Sequence, residues 1–207
     1  MSDTRMRGTV ACVAEAPGCP RCIAMETIAV AYHEAGHAIA SYATWPQRAV
    51  ERATIIPGGG WLGAVWHVES SDDWRGALAD ECLTDAMLTE SETVMLLAGY
   101  AAESRFCDGV AEMPYEFKGT PDARDAASDA LYGHSHEYWG RADDLLEQPE
   151  VWLAIVQMAV ALLRLRTLSG EEVEAIVEAA GIEPDPCHEP LHCEDEFDDE
   201  AFSWEGF

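Results

Sequence analysis

Apolar residues crowd the stretch from Ile23 to Ala43 on nearly every side of a 3.6-residue period, which predicts a helix enclosed by other elements. Pro46 ends it. Two short β-like runs follow, Ala49–Ile56 and Trp61–Val68, with Pro57-Gly58-Gly59-Gly60 between them as a tight connection. Residues 70–80 are polar and read as loop, and a second helical pattern covers Asp85 to Phe106. Cys107–Gly119 reads as loop again. Pro121-Asp122 and Pro149 predict the openings of a third and a fourth helix, the fourth over Glu150–Arg166, because proline at the first helical position gives up an N–H that has no intrahelical partner. Ser169 stands three residues before Glu172, the spacing of a capping box, and opens a fifth helix that ends near Gly181. The expected fold is therefore mostly α with a small β-sheet, an α+β arrangement without internal repeats.

Composition adds bounds. The chain has 207 residues and 48% hydrophobic content, enough for one domain with a sizeable core. Residues 1–23 carry Gly8, Pro17, Gly18 and Pro20 and read as irregular, so the domain is expected over 24–181. From Glu183 onward ten Asp/Glu occur with no Lys or Arg, and 182–207 reads as a solvated, disordered acidic tail. The net charge of −27 comes from 39 acids against 12 bases and repels nucleic acid and anionic lipid. Arg5 and Arg7 are followed by no long apolar run, and Val151–Leu163, interrupted by Gln157, is too short to span a bilayer. The expectation is a cytoplasmic protein with no membrane or nucleic-acid partner. Seven cysteines, an odd number, argue against a complete disulfide framework.

Candidate chemistry lies in the first helix, where His33-Glu34-Ala35-Gly36-His37 spells H-E-x-x-H. A chance match in a chain of this length is expected roughly 0.005 times. Positions i and i+4 share a helix face, so the two imidazoles converge, and imidazole nitrogens at that spacing suit Zn²⁺. Glu34 is rotated off the ligand axis and reaches a water at the metal without taking a coordination site, the placement of a general base. The bland alternative is a pair of buried histidines satisfied by backbone carbonyls.

Four segments carry a family resemblance, in order along the chain. Ala31-Tyr32-His33-Glu34-Ala35-Gly36-His37-Ala38 resembles the zinc helix of the FtsH-type, ATP-dependent metallopeptidases. Ala53-Thr54-Ile55-Ile56-Pro57 with Leu62-Gly63 is similar to the strand pair that follows it. Leu97-Ala98-Gly99-Tyr100-Ala101-Ala102-Glu103 resembles the family's L-A-G-R-A-A-E helix, and Thr167-Leu168-Ser169-Gly170-Glu171-Glu172-Val173 the segment closing its protease domain. The resemblance spans roughly 24–180 and implies an FtsH-peptidase-like helical domain built on the H-E-x-x-H zinc helix. It implies His33 and His37 as zinc ligands, Glu34 as general base, and as third ligand an aspartate that opens a helix. Asp122 in Gly119-Thr120-Pro121-Asp122 is the choice and Asp125 the alternate, because the glycine stands one residue closer than in the family pattern. Glu103 would accept the far N–H of a ligand histidine, against the alternative of an ordinary exposed acid. The family's edge strand takes extended substrate, and Trp61–Val68 is the counterpart. His67 there is read as a strand-end surface histidine, with oxyanion stabilisation as the alternative.

The FtsH family also has a membrane anchor and an AAA+ ATPase, and no Gly-x-x-x-x-Gly-Lys-Ser/Thr occurs in these 207 residues. The resulting expectation is a soluble zinc metalloendopeptidase acting on unfolded proteins or peptides, with a partner ATPase in trans and homo-oligomerisation left open. The alternative is a non-proteolytic metal-binding regulator or adaptor that retains the fold. A third option makes the acidic tail the working part of an interaction protein. Cys19 and Cys22 form C-x-x-C, and Cys187, His188, His192 and Cys193 lie in the tail. They read either as a second, structural zinc site or as thiols and imidazoles on mobile ends. Cys82 and Cys107 read as half-buried packing residues.

Overall fold

The structure, a computed structural model, describes residues 20–44, 49–58, 62–68, 85–109 and 135–183. Among them, α1 (Pro20–Ala43) leads into β1 (Val50–Thr54) and β2 (Ala64–His67). Then come α2 (Asp85–Gly109), α3 (Ser135–Glu147), α4 (Pro149–Leu165), β3 (Thr167–Ser169) and α5 (Gly170–Ala180). Helices dominate, with one small antiparallel sheet, as the apolar pattern predicts.

The all-round apolar pattern of α1 has its counterpart in space. Ala29, Ala31, Ala35, Ala38, Ile39 and Ala40 are buried, and the helix packs against α2, α4, the sheet and α5. Its small side chains let the neighbouring helices approach closely. α4 shows the contrasting one-sided pattern: Val151, Ala154, Ile155, Met158, Ala159 and Leu162 recur at helical spacing and form the buried stripe. Pro149 stands at its first turn, as the sequence predicts. No single described helix is long and apolar enough to cross a membrane.

The sheet has the order β2-β1-β3, with both pairings antiparallel. Ala53 pairs with Val65 on one side and Leu168 on the other, and these three side chains face the helices. The third strand is absent from the sequence expectation, since three residues are too few to carry a period of two. It is made by a reversal at Arg166, which caps α4 in the left-handed region at φ 69°. The Arg166 carbonyl accepts from Ile55 N–H at 2.9 Å and from the Thr54 hydroxyl at 3.0 Å, fastening the end of α4 to the strand that follows α1.

The capping box at α5 forms as expected. Glu172 N–H donates to Ser169 Oγ at 3.3 Å, and Ser169 N–H donates to the Glu172 carboxylate at 2.8 Å. Gly181, at φ 71°, ends the helix in the left-handed conformation that glycine adopts without steric cost. Two boundaries differ from the sequence reading. α2 runs on through Cys107 to Gly109, because Phe106 stacks on Tyr32 at 4.5 Å and Cys107 is buried, so the helix keeps an inward face beyond the expected end. α3 lies between the openings expected at Pro121 and Pro149; Pro121 itself is outside the described residues.

Candidate metal and catalytic centre

The site is assembled where α1 crosses α2. Three contacts set the crossing. His33 meets Glu103, Gly36 meets Ala98 and Ala102, and His37 meets Gly99 and Met95. Numbers rise along one helix as they fall along the other, so the two run antiparallel. Met95, Gly99 and Glu103 are spaced by four and share one face of α2, opposite the shared face of His33 and His37 on α1. Glycine is required at the closest points: a Cβ on Gly36 would lie 2.5 Å from the Ala98 carbonyl oxygen, and one on Gly99 would lie 2.4 Å from His37 Nε2.

Each imidazole is tied at Nδ1. His37 Nδ1 is 3.0 Å from the Met95 carbonyl oxygen, and His33 Nδ1 is 3.0 Å from the Glu103 carboxylate. A carbonyl and a carboxylate only accept, so both rings carry their proton on Nδ1 and turn Nε2 the other way. The two Nε2 atoms meet 2.9 Å apart. The two ring nitrogens thus converge on one point, where a shared cation would be held by both. Two nitrogens ~2.0–2.1 Å from a tetrahedral centre stand ~3.3 Å apart, so the pair needs to open by only about 0.4 Å to hold Zn²⁺. The donor set also suits the ion: burial, assisted by the charges of His33 and His67 and opposed by the Met95 carbonyl, lowers the His37 pKa to about 3. His37 is therefore the neutral imidazole that a metal ligand has to be.

Glu34 is 5% exposed, a carboxyl group in the protein interior beside these rings. Burial raises its pKa to about 7, with His33 opposing the rise and Glu103 adding to it. Gly63, just ahead of β2, lies against it: a Cβ there would fall 2.5 Å from Glu34 Oε1. The start of β2 is thus in contact with the carboxylate, which places the outer strand of the sheet beside the site.

The sequence-predicted residues divide accordingly. His33, Glu34 and His37 come together, and Glu103 is buried and bonded to His33, not exposed. Asp122 and its alternate Asp125 lie outside the described residues, as do Cys19, Cys82, Cys187, His188, His192, Cys193 and the tail beyond Glu183; no side-chain position is described for Cys22. Among the described residues no three His, Cys, Asp or Glu side chains cluster closely enough to hold a metal. Cys107 is fully enclosed, more so than the half-buried position expected. The surface reading of His67 is corrected. It pairs across from Val50, shares the inward face of Val65 two residues before it, is partly buried, and lies close enough for its charge to depress the His37 pKa.

Sequence reasoning did not anticipate the roles of Met95, Gly63 and Gly99. Met95 acts through its backbone carbonyl, which leaves no mark on residue identity. The two glycines stand in motifs that were read for other reasons, and their spacing to His37 and Glu34 exists only in three dimensions.

Residues 23–112 match the sequence profile of Peptidase family M41. Over 184 residues the chain is 26% identical to the ATP-dependent zinc metalloprotease FTSH 9, chloroplastic/mitochondrial, of Oryza sativa subsp. japonica. The alignment takes in 78% of this chain and 23% of the rice protein, so the chain spans about a quarter of the length of that relative.

Proposed function

We propose that the chain carries an FtsH-type protease domain of peptidase family M41 and is a zinc-dependent metalloendopeptidase hydrolysing peptide bonds of unfolded proteins or peptides. The observation that carries this reading is the pair of Nε2 atoms 2.9 Å apart, each ring tethered at Nδ1, with the buried Glu34 one residue from the first ligand. His33 and His37 would hold the ion, with Asp122, or Asp125 as its alternate, completing the set. Bound zinc would supply Lewis-acid polarisation of the scissile carbonyl and a lowered pKa for water.

The chain's own residues account for the rest. Glu103 and the Met95 carbonyl fix the tautomer of both histidines by holding each ring at Nδ1. Glu34 takes a proton from the attacking water and delivers it to the leaving amine, so one group serves as base and then as acid. A carboxyl group buried beside the ligand rings, within reach of water held there, is placed for both halves of that exchange. Substrate would add to the outer edge of β2, the sheet-end strand, in extended form; Gly63 at its start would lead the peptide past Glu34. On this reading the substrates are unfolded segments or peptides, supplied where needed by an ATPase in trans, and the setting is cytoplasmic.

The test is turnover of casein by the zinc-loaded chain beside a Glu34→Gln variant of equal zinc content. Loss of general-base help costs about 10²–10⁴-fold in rate. Cleavage by the wild type alone supports the peptidase and its base. Two zinc-loaded proteins that both fail to cut would remove the peptidase reading for the chain by itself and leave a metal-binding regulator.

A further inference from the structure

Tyr100 follows Gly99 on α2, and its ring stands against both imidazoles. Its centroid is 4.7 Å from that of His33 at an interplanar angle of 90°, and 6.4 Å from that of His37 at 89°. The imidazoles are themselves perpendicular, at 87° and 4.5 Å. Three rings thus meet as three mutually perpendicular planes. Edge-to-face contact in this distance range is the favoured geometry for aromatic pairs.

This corner does something that hydrogen bonds do not. A bond at Nδ1 fixes one atom of an imidazole and leaves the ring free to swing about the line to its acceptor. A perpendicular ring against the face or edge removes that freedom. Tyr100 is also not simple core filling: it is half-buried, whereas its helix neighbours Leu97, Ala98, Ala101 and Ala102 are fully enclosed. We propose that Tyr100 is a positioning residue whose aromatic ring sets the plane of His33, and less strongly that of His37, so that both Nε2 atoms address one point. The proposal rests on the reading of those histidines as metal ligands.

The experiment titrates the metal-free full-length chain with Co²⁺, a divalent ion that the same nitrogen ligands accept and whose d–d absorption reports ligand geometry. Wild type, Tyr100→Phe and Tyr100→Leu are compared, with thermal melts of each metal-free protein as the folding control. Phe keeps the ring and is expected to bind within about twofold of wild type with the same absorption band. Leu keeps apolar bulk without the ring, and is expected to bind roughly 2–10-fold more weakly with a shifted or weakened band and an unchanged melt. A Leu variant with wild-type affinity and band overturns the proposal. So does a Phe variant that loses as much as Leu, since the hydroxyl and not the ring would then be responsible. If the Leu protein does not fold, Tyr100→Met takes its place and is read in the same way. A wild type that takes up no Co²⁺ overturns the ligand reading itself, which separates the two failures.

Discussion

Replacing Gly99 with alanine sets two physical effects against each other, and the structure says which one wins. Helix propensity alone favours the change, since alanine in a helix interior is better than glycine by up to about 1 kcal/mol. The new Cβ, however, would lie 2.3 Å from His37 Cε1, 2.4 Å from Nε2 and 2.7 Å from Cδ2. Non-bonded heavy atoms settle near 3.5–4.0 Å, so the ring must retreat by roughly 1 Å. It has little room to do so, because Nδ1 is bonded to the Met95 carbonyl at 3.0 Å on the same helix as Gly99. Overpacking of this kind costs about 1–3 kcal/mol. We expect Gly99→Ala to lose about 1 kcal/mol of stability on balance in the metal-free state. We also expect at least tenfold weaker zinc binding, the scale seen when a ligand histidine loses its held orientation. Thermal melts of the metal-free proteins and a competitive zinc titration against a chromophoric chelator measure the two effects. An alanine variant that melts above wild type and binds zinc equally well would refute the reasoning, because the propensity gain would then be acting without the clash.

Three further outcomes follow from the same geometry. Gly63→Ala pushes a Cβ into the Glu34 carboxylate and should lower casein turnover more than tenfold while zinc affinity stays within about twofold; an equal loss of both would show that Gly63 supports the metal and not the base. Glu103→Ala leaves the His33 Nδ1–H without its acceptor at 3.0 Å and should weaken zinc binding about 10–100-fold, as read by the same chelator competition. The Glu34 carboxyl, raised to about 7 by burial, keeps its proton in the folded chain between pH 4.5 and 7 while the unfolded chain releases it. Its contribution to metal-free stability therefore falls as pH rises through that window, by on the order of 3 kcal/mol. His37, lowered to about 3, acts in the opposite sense between pH 3 and 6.5, so the stability difference between wild type and Glu34→Gln is the quantity to follow. A difference that stays flat from pH 4.5 to 7 in denaturant titrations would contradict the buried carboxyl.

What the sequence determined by itself is what short-range physics controls. The i, i+4 spacing of His33 and His37 puts two imidazoles on one face wherever the segment is helical. Pro149 and the Ser169/Glu172 box mark helix starts because their effects act within one turn, and both stand at helix starts in the structure. The nearly all-round apolar pattern of α1 announced a helix surrounded by others, and its alanines from Ala29 to Ala43 are buried as that pattern requires. The tertiary structure decided everything that joins residues far apart in the chain. The His33–Glu103 bond bridges 70 residues and the His37–Met95 bond 58, and the second uses a carbonyl that every residue type carries. β3 exists only because Arg166 turns the chain back onto β1, and three residues contain no period to read. His67 reads as a surface residue in sequence, and alternation along β2 turns it inward only once Val65 is known to face the helices. Glu34 acquires its raised pKa in the same way: the motif names a carboxylate, but burial against Gly63 and α2, which no local pattern encodes, decides how tightly it holds a proton.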